Sequence, residues 1–140
     1  MLLEKEEIER LEKKTAAMER LSSAEFKLVF CKHAWLGIRR KAKQIFKKYR
    51  LNETDNRGCV LLLIVEKDRE MLIYGDKAVN EKLGEGAWLP IRDAILAEFR
   101  QGEFELGLSI GLQMLTDQLA QHFPPLAQAK DEISNEIVFE

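Results

Sequence analysis

At 140 residues, 46% apolar and 33% charged, with two cysteines, the chain has the size and balance of one globular domain that needs no disulfide or structural metal. A net charge of −2 excludes a strongly basic nucleic-acid binder, and the apolar content excludes a disordered chain. The N-terminus turns charged after Leu2-Leu3, so neither a secretory leader nor a membrane span is expected and the chain reads as soluble and cytoplasmic.

From Glu4 to Leu21, Ile8, Leu11, Thr15, Met18 and Leu21 recur at three and four residues, which predicts an amphipathic helix ended by Ser22-Ser23. Glu25 to Cys31 reads as a strand. Between Trp35 and Leu51, Ile38, Ala42, Ile45, Phe46 and Tyr49 make one helical stripe, with Arg39, Arg40, Lys41, Lys43, Lys47, Lys48 and Arg50 on the opposite arc. No acid occurs between Glu25 and Glu53, so this helix is a candidate anion-binding face. The polar cluster Asn52 to Gly58 is a turn, and Cys59 to Val65 is an apolar run of strand length, buried on both faces.

Glu66-Lys67-Asp68-Arg69 forms a charged turn into a strand, Glu70 to Tyr74, closed by Gly75-Asp76, so the two strands make a hairpin. Strand, helix and buried strand before it form a crossover unit, which predicts a mixed sheet of one parallel pair plus an antiparallel member. Ala78 to Leu83 is a short helical turn. Trp88 opens a helix to Phe99, with Pro90 in its first turn, and a further helix runs from Phe104 to Phe123. That last stretch carries Glu105 and Asp117, so it reads as a core helix and not a membrane span, and Gly107 and Gly111 would let a neighbour approach closely. After Pro124-Pro125 a tail follows in which Ile133, Ile137, Val138 and Phe139 can dock. Cys31 and Cys59 fall at opposite ends of a parallel pair, too far apart for a disulfide, and two free thiols suit a reducing compartment.

The ordered set Gly58-Cys59-Val60-Leu61-Leu62-Leu63-Ile64, Asp68-Arg69, Gly75-Asp76-Lys77, Trp88, Phe99-x-x-Gly102-x-Phe104-x-x-Gly107-Leu108 and His122-Phe123-Pro124 resembles the TPM domain family over residues 24–125. The tail Asp131 to Ile137 also resembles that of stand-alone bacterial members. The resemblance implies an α/β fold, a three-layer α/β/α sandwich with a small mixed sheet. Residues 1–23 add an N-terminal helix to the same domain and 126–140 a tail. It also implies a link to phosphatase-like proteins of the thylakoid lumen. Arg57 stands where the family usually has Asn, Ala78 replaces a Gly, Ser134 replaces a Pro, and the acidic pair before the Trp is reduced to Glu85, which leaves fewer metal ligands on that loop.

Hydrolysis at phosphorus needs a positioned nucleophile and charge neutralisation, and the sequence has no Cys-x5-Arg loop and no Asp-x-Asp pair. Asp76, after Gly at a strand end, is the leading candidate: with Glu81 and Glu85 it could hold calcium or another divalent cation, or it could cap the following helical turn. Asp68, Arg69, Lys77 and Trp88 are candidate pocket residues, although the first two also suit a solvated turn and Trp88 a packed helix start. Cys31 and His33 lack a third orienting group, and His122 suits a helix C-terminus. The first reading is therefore a binding or interaction module, a monomer with an unidentified protein partner and no membrane association. A metal-dependent phosphatase is the enzymatic alternative. Nucleic-acid binding through Arg39, Arg40, Lys43, Lys47 and Arg50 is the third, disfavoured because aromatics do not interleave the basic residues.

Overall fold

Two parallel strands, β1 (Glu25–Cys31) and β2 (Cys59–Val65), pair in register from Glu25 opposite Cys59 to Cys31 opposite Val65, and both are buried along their whole length. The structure, a computed structural model, describes residues 2–126 and 133–140, with Glu85 described by its backbone alone. The antiparallel hairpin expected after β2 is present: β3 (Glu70–Gly75) pairs Val60 with Gly75 and Val65 with Glu70. A fourth strand completes the sheet in the order β3-β2-β1-β4. It is β4 (Val138–Phe139), which lies parallel to β1 with Val29 opposite Val138 and Phe30 opposite Phe139. The expectation from sequence had one parallel pair, and the docked tail adds a second.

Alternation along β1 and β2 divides the interior in two. Phe26, Leu28, Phe30, Val60, Leu62 and Ile64 face one layer, and Val29, Cys31, Cys59, Leu61, Leu63 and Val65 the other. The first layer is covered by α1 (Lys5–Met18), α3 (Lys77–Lys82), α4 (Glu85–Phe99) and α5 (Phe104–Leu119), the second by α2 (Ile38–Lys48). This is the expected α/β/α arrangement.

Several helix ends differ from the sequence expectation, among them α5, which stops at Leu119 and not at Phe123, and α2, which stops at Lys48 and not at Leu51. α1 stops at Met18 because its last turn tightens, with Leu21 N–H donating to Met18 O at 3.0 Å. The Glu19 carboxylate meanwhile reaches the Phe26 N–H at 2.7 Å. α4 starts at Glu85, three residues before Trp88, so Pro90 lies in its second turn and deprives the Gly86 carbonyl of a helical donor. α2 starts at Ile38, after Gly37 at φ +98, so Trp35 stands outside the helix. No helix among the described residues is long and apolar enough to cross a membrane.

α4 and α5 pack against each other through glycine. A Cβ on Gly107 would lie 3.0 Å from the Ile95 carbonyl oxygen, and one on Gly111 would lie 2.3 Å from Ile95 Cδ1. The tail is held by buried polar groups of β1 and by α2. Lys27 Nζ donates to Ser134 O at 3.1 Å and Glu136 O at 2.7 Å, and the Ile133 N–H donates to Glu25 Oε1 at 2.8 Å. At its end the Glu140 carboxylate accepts from Lys48 Nζ and Tyr49 Oη, both at 2.9 Å. The tail residues Asp131 and Glu132 lie outside the described residues.

Candidate functional site

Asp76 is delivered by the end of β3. Gly75 is required there by close approach, since a Cβ would fall 2.6 Å from Val79 Cγ1. The Asp76 N–H donates to Cys59 O at 2.9 Å, and its carbonyl accepts from the Asn80 N–H at 3.0 Å as α3 begins. Asp76 occupies the N-cap position of α3, as the capping alternative has it, but its side chain makes no cap bond to the helix. Instead both carboxylate oxygens accept from one guanidinium. Arg57 Nε donates to Oδ2 at 2.7 Å and Nη2 to Oδ1 at 2.8 Å, a bidentate fork.

Arg57 reaches Asp76 because its turn is pinned. Asn56 Nδ2 donates to Ser23 O at 2.8 Å, Asn56 Oδ1 accepts from the Gly58 N–H at 2.9 Å, and the Arg57 carbonyl accepts from the Ala78 N–H at 3.3 Å. The Arg57 backbone sits at φ +53, a left-handed conformation that costs a non-glycine residue about 1 kcal/mol. Asp76 is 6% exposed while the Arg57 side chain is 43% exposed, so the carboxylate is buried beneath a guanidinium open to water. Asp76 holds the Arg57 guanidinium more firmly protonated than usual.

The other candidate residues are dispersed. Lys77 and Glu81 are exposed on α3, and the Glu85 side chain lies outside the described residues. No group of three or more His, Cys, Asp or Glu positioned to hold a metal occurs among the described residues. Both Asp76 oxygens are engaged by the guanidinium, whereas a divalent cation takes several oxygen ligands. Asp68 and Arg69 are exposed on the β2–β3 turn, at the other end of the sheet from Asp76, so they share no pocket with it. Trp88, 4% exposed, belongs to the core. Its surface edge lines a crevice of about 50 Å³ with Arg39, Leu72, Ile73, Leu89 and Arg92, and not a pocket over Asp76.

The thiols are not poised as nucleophiles. Burial, followed by the negative charges of Glu25 and Asp76, pushes Cys59 far up, and burial raises Cys31 as well. His33 stacks on Trp35 at 4.3 Å between ring centroids. On the basic face, Arg50 leaves the helix at φ +57 and forks onto Glu53 at 3.0 and 2.8 Å. Arg40, Lys43 and Lys47 are exposed and form no ion pair among the described residues.

Comparison with known proteins fits this architecture. The sequence pattern of the TPM domain matches residues 1–118. The chain belongs to the TPM domain family. A search of curated proteins found no match. Among solved structures, the BA42 protein of the psychrophilic bacterium Bizionia argentinensis superposes with a TM-score of 0.93 at 27% identity, over 100% of this chain and 97% of that one. The N-terminal domain of a P. gingivalis protein superposes with a TM-score of 0.75 at 18% identity, over 92% and 83% of the two chains, and shows the shared fold. Within this TPM domain, Arg57 is the site residue that sequence reasoning noted only as a departure from the family pattern. Glu25 and Lys27, buried and bound to the tail, were missed because they sit in a strand that alternates like any other.

Proposed function

We propose that this TPM domain acts as a binding module and not as a metal-assisted phosphatase. The Arg57–Asp76 fork carries the reading. A buried carboxylate at the strand end would be the natural anchor for a divalent cation, and here its two oxygens are engaged by the chain's own cation at 2.7 and 2.8 Å. A metal entering there would have to break both hydrogen bonds and bring the guanidinium charge alongside its own. The raised thiols of Cys31 and Cys59 offer no alternative nucleophile, and their free state suits a cytoplasmic setting.

Calcium or magnesium titration followed by amide NMR tests this, alongside a phosphomonoester assay. The expected result is no saturable shift at Asp76, Val79 and Asn80, no metal-dependent turnover, and cation-dependent shifts that emerge in Arg57→Asn, where the carboxylate is released. Metal-dependent turnover of the unaltered chain that Asp76→Asn abolishes would overturn the proposal.

A further inference from the structure

We propose that the β1–α2 loop is a docking tip for an anionic lipid surface, with Trp35 and Leu36 entering the interfacial layer and the first turns of α2 contacting headgroup phosphates. This rests on the binding-module reading but departs from its expectation of no membrane association, and it uses the opposite end of the sheet from Asp76, about 20 Å away along β1. Trp35 is 84% exposed and Leu36 65%, the two most exposed large apolar residues of the described chain, and they are adjacent on one short loop. The stack on His33 sets the direction of the indole without covering it.

Behind the apolar tip lies a cationic collar. α2 begins at Ile38, two residues beyond Leu36, and carries no acid in its first turn, so Arg39 and Arg40 sit at the positive end of the helix dipole. Such a placement is unfavourable for the isolated fold and favourable once an anion is present. Lys43 follows Arg40 by about 4.5 Å along the axis and Lys47 by about 10 Å, so a surface met end-on by the tip has Arg40 and Lys43 within a Debye length of about 8 Å. The β2–β3 turn is brought alongside by the Lys67 N–H, which donates to Lys32 O at 3.1 Å. From Glu66 to Glu70 it carries three acids and two bases, a net −1, against the four cations Lys32, Arg39, Arg40 and Lys43. Among these residues the balance is positive.

The geometry favours lipid over other anionic partners. Two side chains on a narrow tip cannot supply the roughly 1,000 Å² of a specific protein interface, whereas interfacial insertion needs only an amphipathic aromatic and an aliphatic neighbour. For a nucleic acid, one face of Trp35 is already taken by His33, and Leu36 offers no ring for base stacking.

The test is flotation of the full chain with phosphatidylcholine vesicles, with and without phosphatidylserine, together with tryptophan quenching by brominated lipid. Trp88 is buried in the core, so Trp35 dominates the quenchable emission. Binding is expected only with phosphatidylserine, falling with salt, and about 30-fold weaker in Arg40→Gln/Lys43→Gln. Trp35→Ala, at a position that no core residue covers, is expected to weaken it about tenfold or more and abolish the quenching. Equal binding to neutral vesicles, no binding at low salt, or unchanged affinity in Trp35→Ala would overturn the proposal. So would quenching of Trp35 by an oligonucleotide that competes the vesicles away, or burial of Trp35 in a dimer seen by sedimentation. None of these results depends on the metal titration, so the two readings fail separately.

Discussion

Gly111→Ala is the most direct test of how α4 and α5 are joined. A methyl at this position would lie 2.3 Å from Ile95 Cδ1 and 2.7 Å from Cγ1, and Ile95 is fully buried. Overpacking of this kind costs about 1–3 kcal/mol, while replacing a helical glycine by alanine returns about 1 kcal/mol of propensity. The net expectation is a loss of up to about 2 kcal/mol, or a fall in Tm of up to roughly 8 °C for a domain of this size. Gly86→Ala is the control, because it is also in a helix and a Cβ there meets nothing within 4 Å. It should leave stability unchanged or raise it slightly.

Ile95→Val removes the closest atom, so the double variant Gly111→Ala/Ile95→Val should be more stable than the sum of its single changes by about 0.5 kcal/mol or more. Chemical denaturation of the four proteins measures the coupling. If Gly111→Ala is as stable as Gly86→Ala, or the two changes add within about 0.3 kcal/mol, the helices are not held by this contact.

The tail should detach in acid. Hydrogen bonding from Lys48, with Tyr49 adding and partial burial opposing, holds the Glu140 carboxyl below its usual 4.5. Because folding depresses this acid, its stabilisation is complete above pH 4.5 and is lost as pH falls through the lower folded value. Exchange at the Glu140 amide, which donates to Phe30 O at 2.7 Å, should therefore accelerate between pH 5 and pH 3 beyond the intrinsic rate, and Glu140→Gln should flatten that dependence. Lys27→Met should leave the Ser134 and Glu136 carbonyls without their donor, at a cost of about 1–3 kcal/mol to tail docking. Faster exchange confined to residues 133–140, with β1 and β2 still protected, is the expected pattern, and uniform loss of protection would refute it.

The parts of this fold that were legible in sequence are those decided locally. Seven consecutive apolar residues, bounded by the polar turn that ends at Gly58 and the charged turn from Glu66, are too short for a core helix and fit a buried strand, which is why β2 was found to the residue. Gly107 and Gly111 on an apolar helix already implied a close neighbour. β4 was not legible as a strand, because two residues have no period and Val138–Phe139 becomes a strand only by pairing with β1. Trp35 misled for a different reason: spaced three residues before Ile38 and seven before Ala42, it continues the helical stripe. What removes it from that face is the positive φ of Gly37, which the stripe does not encode. Asp76 was identified from a carboxylate following glycine at a strand end. Its partner lies 19 residues earlier, and only the register of Val60 opposite Gly75 brings the two together.

The two ends of the sheet treat charge in opposite ways. At the Asp76 end the fold accepts a left-handed arginine in order to neutralise a buried carboxylate, so any external cation must compete with an internal one already in bidentate contact. At the Trp35 end Arg40 and Lys43 have no ion-pair partner among the described residues, and Arg40 stands where the α2 dipole opposes it. Binding free energy is largest where no internal contact has to be surrendered first. By that criterion the proposed partner gains most at the exposed indole with its cationic collar, and least at the Asp76 end, where the carboxylate is already engaged.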